Sequence, residues 1–314
     1  MIAEKLRQTY AQGYECHTFT HTLAIFADSF AWMRQAPAES IHAIVTDPPY
    51  GVKEYDAVQL EKRANGNGGT WRIPPAFDGH KRAPLPRFTA LSAGERERVR
   101  RYFTEWGTLA HRLLRPGGHI FLASNVYLSQ LVFSALSEAG LEFRGQIVRL
   151  VRTLRGGDRP KNAEREFPDV CTMPRGCYEP WGIFRKPLPP GLTVSACLRT
   201  FQTGGLRRKP DGTPFEDVIA SERTPRQERK IAPHPSLKPQ AFLRTLVYAV
   251  LPLGEGIVLD PFAGSGSTLA AAEALSYAAI GIERHRPYYA MSAEAVPALA
   301  RLGTPQSQLQ LPFA

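Results

Sequence analysis

The chain contains no apolar run approaching eighteen residues, so no membrane-spanning helix is expected. Its opening residues, MIAEKLRQTY, are polar and no apolar stretch follows them, which argues against a secretory signal. Cysteine is scarce. Cys16, Cys171, Cys177 and Cys197 share neither a zinc spacing nor a disulfide framework and read as reduced, mostly structural thiols. There is no internal repeat and no nuclease motif. These absences leave a soluble, intracellular protein, and 314 residues suit one large α/β domain with insertions or one domain plus a small lobe. Acidic residues are in deficit as well: 39 Lys and Arg stand against 29 Asp and Glu, a net charge of +10 and a pI near 9.6. A surplus of that size favours a polyanionic partner, nucleic acid being the commonest, although an inert basic surface accounts for the charge equally well.

Seven apolar, strand-like runs can be picked out, at residues 21–28, 42–47, 119–125, 143–151, 181–186, 256–262 and 278–283. Several are continuous and β-branched, as strands buried on both faces are. Helical patterns separate many of them, at 96–114 (stopped by Arg115-Pro116-Gly117-Gly118), 126–139, 240–250 and 267–275. The alternation predicts an α/β fold built on a doubly wound, seven-stranded, mostly parallel sheet. Residues 52–93 and 187–233 are rich in Gly, Pro and charge and break the rhythm, as functional or disordered insertions do.

Two strand ends carry chemistry. Residues 258–268 read VLDPFAGSGST, a strand ending at Asp260, a Gly-rich turn and a helix opening at Ser267. Gly264 and Gly266 let backbone approach a ligand, and the helix N-terminus offers unpaired N–H groups. The spacing is not the dinucleotide GxGxxG, and no Lys makes a phosphate-binding loop. Glu283, at the end of the next strand, is placed to accept hydrogen bonds from ribose hydroxyls, which points to a nucleoside cofactor without phosphates. The second site is residues 44–51, IVTDPPYG. A strand delivers Thr46 and Asp47 to its carboxyl end, Pro48 and Pro49 stiffen the chain and leave carbonyl acceptors, and Tyr50 adds a flat ring. A carboxylate, a carbonyl and a stacking face suit a planar amine. By average composition, Asp-Pro-Pro-Tyr arises by chance in about one chain of this length in a thousand. The plainer readings are a tight strand–helix turn and a rigid loop.

Asp47-Pro48-Pro49-Tyr50 followed by Asp260-Pro261-Phe262-Ala263-Gly264-Ser265-Gly266-Ser267-Thr268 resembles the amino-group DNA methyltransferases of adenine N6 and cytosine N4. The catalytic motif precedes the cofactor motif, as in the β class, a circular permutation of the Rossmann-like methyltransferase fold. The resemblance implies S-adenosyl-L-methionine as cofactor, cradled by Thr46, Asp260, Phe262, the Gly264–Gly266 turn, Ser267 and Thr268, with Glu283 on the ribose. Asp28, in Ala27-Asp28-Ser29-Phe30, stands where members carry a Gly-Asp-Ser-like turn that contacts the cofactor's adenine, with Ala27 in place of Gly. His234-Pro235-Ser236-Leu237-Lys238-Pro239 is similar to the family's HPxxKP segment, which puts Lys238 and Pro239 near the methionine end. Tyr178-Glu179 resembles a His-Glu pair opening the last strand. Members often place an aromatic residue near positions 147–150 to hold the base, and here there is none.

The family likeness implies a base flipped from duplex DNA and stacked on Tyr50. Asp rather than Ser before Pro-Pro-Tyr leans toward adenine N6; cytosine N4 and a catalytically idle DNA-binding relative are the alternatives. On this reading residues 1–186 form the catalytic half, with 52–93 closing over DNA. Residues 187–233 form a target-recognition insertion, and 234–314 the cofactor half. Arg149, Arg152, Arg155, Arg159 and Lys161 beside the base pocket, with Arg207, Arg208, Lys209 and Arg226 in the insertion, are the expected DNA contacts. The tail Gln308-Leu309-Gln310-Leu311-Pro312-Phe313 resembles the peptide by which bacterial proteins dock on the replication sliding clamp. A second copy of the chain and a separate restriction enzyme are the other partners the family suggests, in a cytoplasmic, nucleoid-associated protein of bacterial or phage origin.

Overall fold

The computed structural model describes residues 2–49, 91–151, 157, 159–160 and 162–304. Their strands are β1 (Cys16–Thr18), β2 (Thr22–Phe26), β3 (Ile41–Thr46), β4 (Leu114–Ala123), β5 (Glu142–Leu150), β6 (Tyr178–Arg185), β7 (Val218–Ala220), β8 (Ile257–Asp260) and β9 (Ala278–Glu283). All nine join one sheet in the order β1-β2-β9-β8-β3-β4-β6-β5-β7. From β2 through β9, β8 and β3 to β4 every pair is parallel. Strand β6 runs against both β4 and β5, and β1 against β2. The seven expected strands are all present, but the sheet has nine rather than seven. The additions, β1 and β7, are three residues each, too short for any alternation to show in sequence.

Helices α1 (Ile2–Tyr10), α2 (Ser29–Gln35), α3 (Ala93–Leu113) and α4 (Ser129–Glu138) precede α5 (Val194–Phe201) and α6 (Arg226–Ile231). Then follow α7 (Gln240–Val250), α8 (Ser267–Ala274) and α9 (Arg286–Ala300). They cover both faces of the sheet. Trp32, Phe103, Trp106 and Leu136 from α2, α3 and α4 pack with Ile44, Leu259 and Ile280. Phe242, Leu246 and Val250 from α7, with Ala270 and Val296, pack with Ala43, Val45, Val258 and Ala279. Neighbouring residues of one strand thus enter opposite cores, so β3 is buried along its whole length and reads as an unbroken apolar run. Each fully buried large apolar side chain contributes about 1.5–3 kcal/mol.

Helix α3 starts where Ser92 and Glu95 form a reciprocal capping box, Glu95 N–H donating to Ser92 Oγ and Ser92 N–H to Glu95 Oε2. The Arg115-Pro116-Gly117-Gly118 stretch is not a separate stop. Helix α3 gives way directly to β4 at Leu114, and the stretch is a bulge: pairing with β3 jumps from Ile41–Leu114 to Ala43–His119. Residues 187–233 are likewise not structureless, for they hold α5, β7 and α6. The Glu228 carboxylate of α6 accepts the Gln240 N–H at 3.0 Å and so fixes that segment to the start of α7. Among the described residues no helix is long and apolar enough to cross a membrane.

Candidate active site

Strands β8 and β3 lie side by side at the middle of the sheet although 214 residues separate Thr46 from Asp260. The chain leaves β8 toward β9 on one side and β3 toward β4 on the other, so their carboxyl ends open a crevice between them. Thr46 Oγ1 donates to Asp260 Oδ1 at 2.7 Å, and the Phe262 N–H donates to the same oxygen at 3.1 Å. Thr268, on α8, adds a side-chain hydrogen bond. Burial nevertheless pushes the Asp260 carboxyl up to about 6; these three donors oppose the rise and the neighbouring Asp47 charge adds to it.

Beyond Asp260 the chain makes its Gly-rich turn. Gly264 and Gly266 have φ of +54° and +84°, and Gly266 is the N-cap of α8. A Cβ on Gly266 would lie 2.5 Å from Val296 Cγ2, and one on Gly264 3.0 Å from His234 Nε2. Glu283 closes the turn from β9: Oε2 accepts the Gly264 N–H at 2.8 Å and Oε1 the His285 N–H at 2.6 Å. Asp28, just past β2, caps α2 by accepting the Ala31 N–H at 3.1 Å and pairs with Arg284 at 3.5 Å. The backbone joins the two strand ends, Ala27 N–H donating to the Glu283 carbonyl.

On the α7 side of the crevice stands a row of charges. Lys238 Nζ lies 2.5 Å from Asp47 Oδ2 and 3.6 Å from Glu179 Oε1. Glu179, from the start of β6, also accepts from Trp181 Nε1 at 2.8 Å and Arg149 Nη1 at 3.2 Å. Burial alone would lower the Lys238 pKa; the two carboxylates outweigh it and hold the ammonium above its usual range. His234 stacks edge-on against Tyr288 at 4.2 Å, and burial, with the Lys238 and His285 charges, brings its imidazole down to about 4. A cleft open to solvent is lined by Asp47, Trp181, Lys238, Asp260, Phe262 and Gly264 among others.

A carboxylate at a strand end, a glycine cradle on the adjoining strand and a carboxylate one strand further form the arrangement that the two motifs imply. The DNA methylase family matches the chain over residues 41–294, from β3 into α9. The chain belongs to the N6/N4 DNA methylase family. The type II methyltransferase M.HindIII of Haemophilus influenzae is similar to it, 26% identical over 287 residues, 84% of this chain and 91% of the relative. M2.DpnII of Streptococcus pneumoniae is 21% identical over 266 residues, 85% of this chain and 86% of its own. Two solved structures share the fold. TTHA0409 of Thermus thermophilus, in complex with S-adenosyl-L-methionine, has a TM-score of 0.55 at 18% identity, covering 90% of this chain and 97% of its own. The cytosine-N4-specific PvuII DNA methyltransferase gives 0.54 at 16% identity, covering 92% and 89%.

In this DNA methylase the structure brings Thr46, Asp47, Lys238, Asp260, Phe262, Gly264, Ser267 and Thr268 to one cleft or its immediate wall. Pro48 is buried and Pro49 exposed behind Asp47, and Pro239 is the N-cap of α7. Tyr50, Arg152, Arg155, Lys161, residues 52–90 and the tail Gln308–Phe313 lie outside the described residues. Two expected DNA contacts are corrected. Arg149 is 4% exposed, its guanidinium shared among Glu179, Ser221 and Glu222, so it cannot reach a phosphate without breaking that set. Arg207 packs over Tyr248 and donates to Tyr277 Oη, just before β9 begins, at the end of the sheet opposite Asp47. Lys209 is paired with Glu216 at 3.4 Å, whereas Arg159, Arg208 and Arg226 are exposed. Sequence reasoning puts the His234–Pro239 segment near the methionine end without singling out His234, and assigns Glu179 and Trp181 no place in the site. Their motifs were visible, but what each side chain faces is set by residues far away in the chain.

Proposed function

We propose that this DNA methylase transfers a methyl group from S-adenosyl-L-methionine to the exocyclic N6 of adenine, drawn out of duplex DNA. The observation that carries the reading is the placement of Asp47. Its carboxylate stands at the carboxyl end of β3, on the cleft whose other wall is the Gly264–Gly266 turn. Residues of that wall fit the cofactor. A Cβ at Gly264 would crowd the His234 ring on the cleft wall, whereas one at Gly266 would meet Val296 in the core, so the turn keeps its backbone open to a ligand only with glycine at both places. Glu283 spends one acceptor position of each oxygen on a backbone N–H, and a carboxylate has about four, which leaves capacity for two ribose hydroxyls. Asp28, at the end of the adjoining strand, is the acceptor for the adenine end, and Phe262 a wall of the cleft.

When bound, the cofactor supplies an electrophilic sulfonium methyl. The chain's part is to make a poor nucleophile competent. The lone pair of an aromatic amine is conjugated into its ring. Accepting its two N–H groups at the Asp47 carboxylate and the Pro48 carbonyl draws the nitrogen toward tetrahedral geometry, with Tyr50 stacking on the base. Asp47 is also the acceptor assigned to the proton the amine gives up. Positioning and charge stabilisation then supply most of the rate. Exposed Arg159 and Arg226 are the remaining phosphate or base contacts, Arg208 lying next to Arg207 at the far end of the sheet.

Adenine is favoured by Asp, rather than Ser, before Pro-Pro-Tyr; the shared fold with a cytosine-N4 enzyme leaves cytosine as the second reading. Asp47→Ala is expected to lower transfer from labelled S-adenosyl-L-methionine to mixed-sequence duplex DNA by at least about 10²-fold. Cofactor affinity, measured calorimetrically, should remain within a few fold. A folded Asp47→Ala protein that still transfers at the wild-type rate would contradict the assignment. Cofactor binding without transfer by the wild-type chain would favour an idle DNA-binding relative.

A further inference from the structure

Arg149 is a cation in the wrong place for a DNA contact. It sits near the end of β5, 4% exposed, and its guanidinium reaches three acceptors on two different elements. Nη1 donates to Glu179 Oε2 at 3.2 Å, Nε to Ser221 Oγ at 3.0 Å and Nη2 to the Glu222 carbonyl at 3.0 Å. Its flat face lies 5.0 Å from the Phe242 ring centroid. Ser221 and Glu222 follow β7, the strand contributed by the 187–233 insertion, and Ser221 N–H donates to the Leu150 carbonyl one residue past Arg149. On the other side, Glu179 is the second carboxylate on Lys238, and Lys238 holds Asp47. A contiguous path therefore runs from the insertion to Asp47: Ser221, Arg149, Glu179, Lys238, Asp47.

We propose that Arg149 is a positioning residue that fixes Asp47 through Glu179 and Lys238 and ties the insertion to that carboxylate. This rests on the reading of Asp47 as the acceptor of the substrate amine. The insertion also touches Lys238's own segment directly, Thr224 Oγ1 donating to the Leu237 carbonyl at 2.5 Å, so both ends of the path are anchored. A planar fork is needed at the middle of it. Three acceptors at separate angles match a guanidinium, and a lysine ammonium on a flexible stem cannot span them together. Loss of the fork releases Glu179 Oε2 and leaves this second carboxylate of Lys238 held only through Oε1, by Trp181 Nε1, so that it can rotate away from its place. The cost falls on the geometry of transfer rather than on DNA binding.

The test is Arg149→Lys in the full chain, with kcat and KM for mixed-sequence duplex DNA, equilibrium DNA binding across a salt series and thermal unfolding. A fall in kcat of about 10²-fold is expected, as for a misplacement transmitted to a reacting group. KM and the salt slope should stay at wild-type values. A salt slope reduced by about 1 with kcat retained would make Arg149 a phosphate contact and overturn the proposal. Unchanged kcat and unchanged slope would overturn it too. If Arg149→Lys does not fold, Ser221→Ala removes one acceptor from the fork; it should lower kcat several-fold at constant KM, and wild-type kcat would overturn the proposal. Asp47→Ala separates the two claims. Full activity there sinks the reading of the site, whereas an inactive Asp47→Ala beside a fully active Arg149→Lys sinks only this inference.

Discussion

Beneath the cleft, Asp260 accepts from Thr46, Phe262 and Thr268 and yet titrates at about 6, against 3.8 for an ordinary aspartate. Its folded value is the higher one. The stability it contributes is therefore present below about pH 4 and is lost as the pH rises through about 6. A shift of that size corresponds to about 3 kcal/mol. Asp260→Asn cannot titrate. Urea unfolding of both proteins from pH 4 to 7 should show the wild type losing about 2–3 kcal/mol relative to the variant across that window. A constant difference would contradict the account. Other single residues divide sharply in how well the sequence announced them. Asp47, Gly264, Gly266 and Glu283 sit in local motifs whose strand–turn–helix context can be read directly. Arg149 cannot be read so, because an arginine beside other basic residues looks like surface. Its burial depends on Glu179 and Ser221, 30 and 72 residues away.

At the scale of elements, the β8–α8 turn is where backbone conformation and core packing coincide. Gly266 combines a left-handed φ with a Cβ position 2.5 Å from Val296 Cγ2, in a helix packed against the core. Gly264 has only a 3.0 Å approach to the edge of the His234 ring. Gly266→Ala should therefore cost about 2–4 kcal/mol of unfolding free energy, from backbone strain and overpacking together. Gly264→Ala should cost about 1 kcal/mol, close to the backbone penalty alone. Denaturant midpoints would check the order, and equal costs would contradict it. The long central strands and α7 were legible because burial on both faces, or on one helical stripe, leaves a periodic trace. Strands β1 and β7 left none. They are held by the neighbours they pair with, and β7 lies in a stretch whose Gly, Pro and charge content hid α5 and α6 as well. Helix α3 was legible, but its start was set early by the Ser92–Glu95 box, inside the stretch read as loop.

For the whole molecule, the order of motifs carried the most information. A catalytic strand placed before the cofactor strand in sequence, yet beside it in space, requires β3 and β8 to meet at the middle of the sheet, and they do. The net charge of +10 fits a polyanionic substrate but identifies no base and no sequence. Those depend on which side chains meet the substrate, and bulk charge does not carry that information. The central claim is that this fold presents Asp47 to an exocyclic amine of DNA. Its most direct test is incubation of the full chain with labelled S-adenosyl-L-methionine and mixed-sequence duplex DNA, followed by digestion and nucleoside analysis. The account predicts label in N6-methyladenine, while label in N4-methylcytosine would keep the fold and the chemistry and change the base. Label on a ring carbon, or none in DNA from a protein that binds the cofactor, would contradict it.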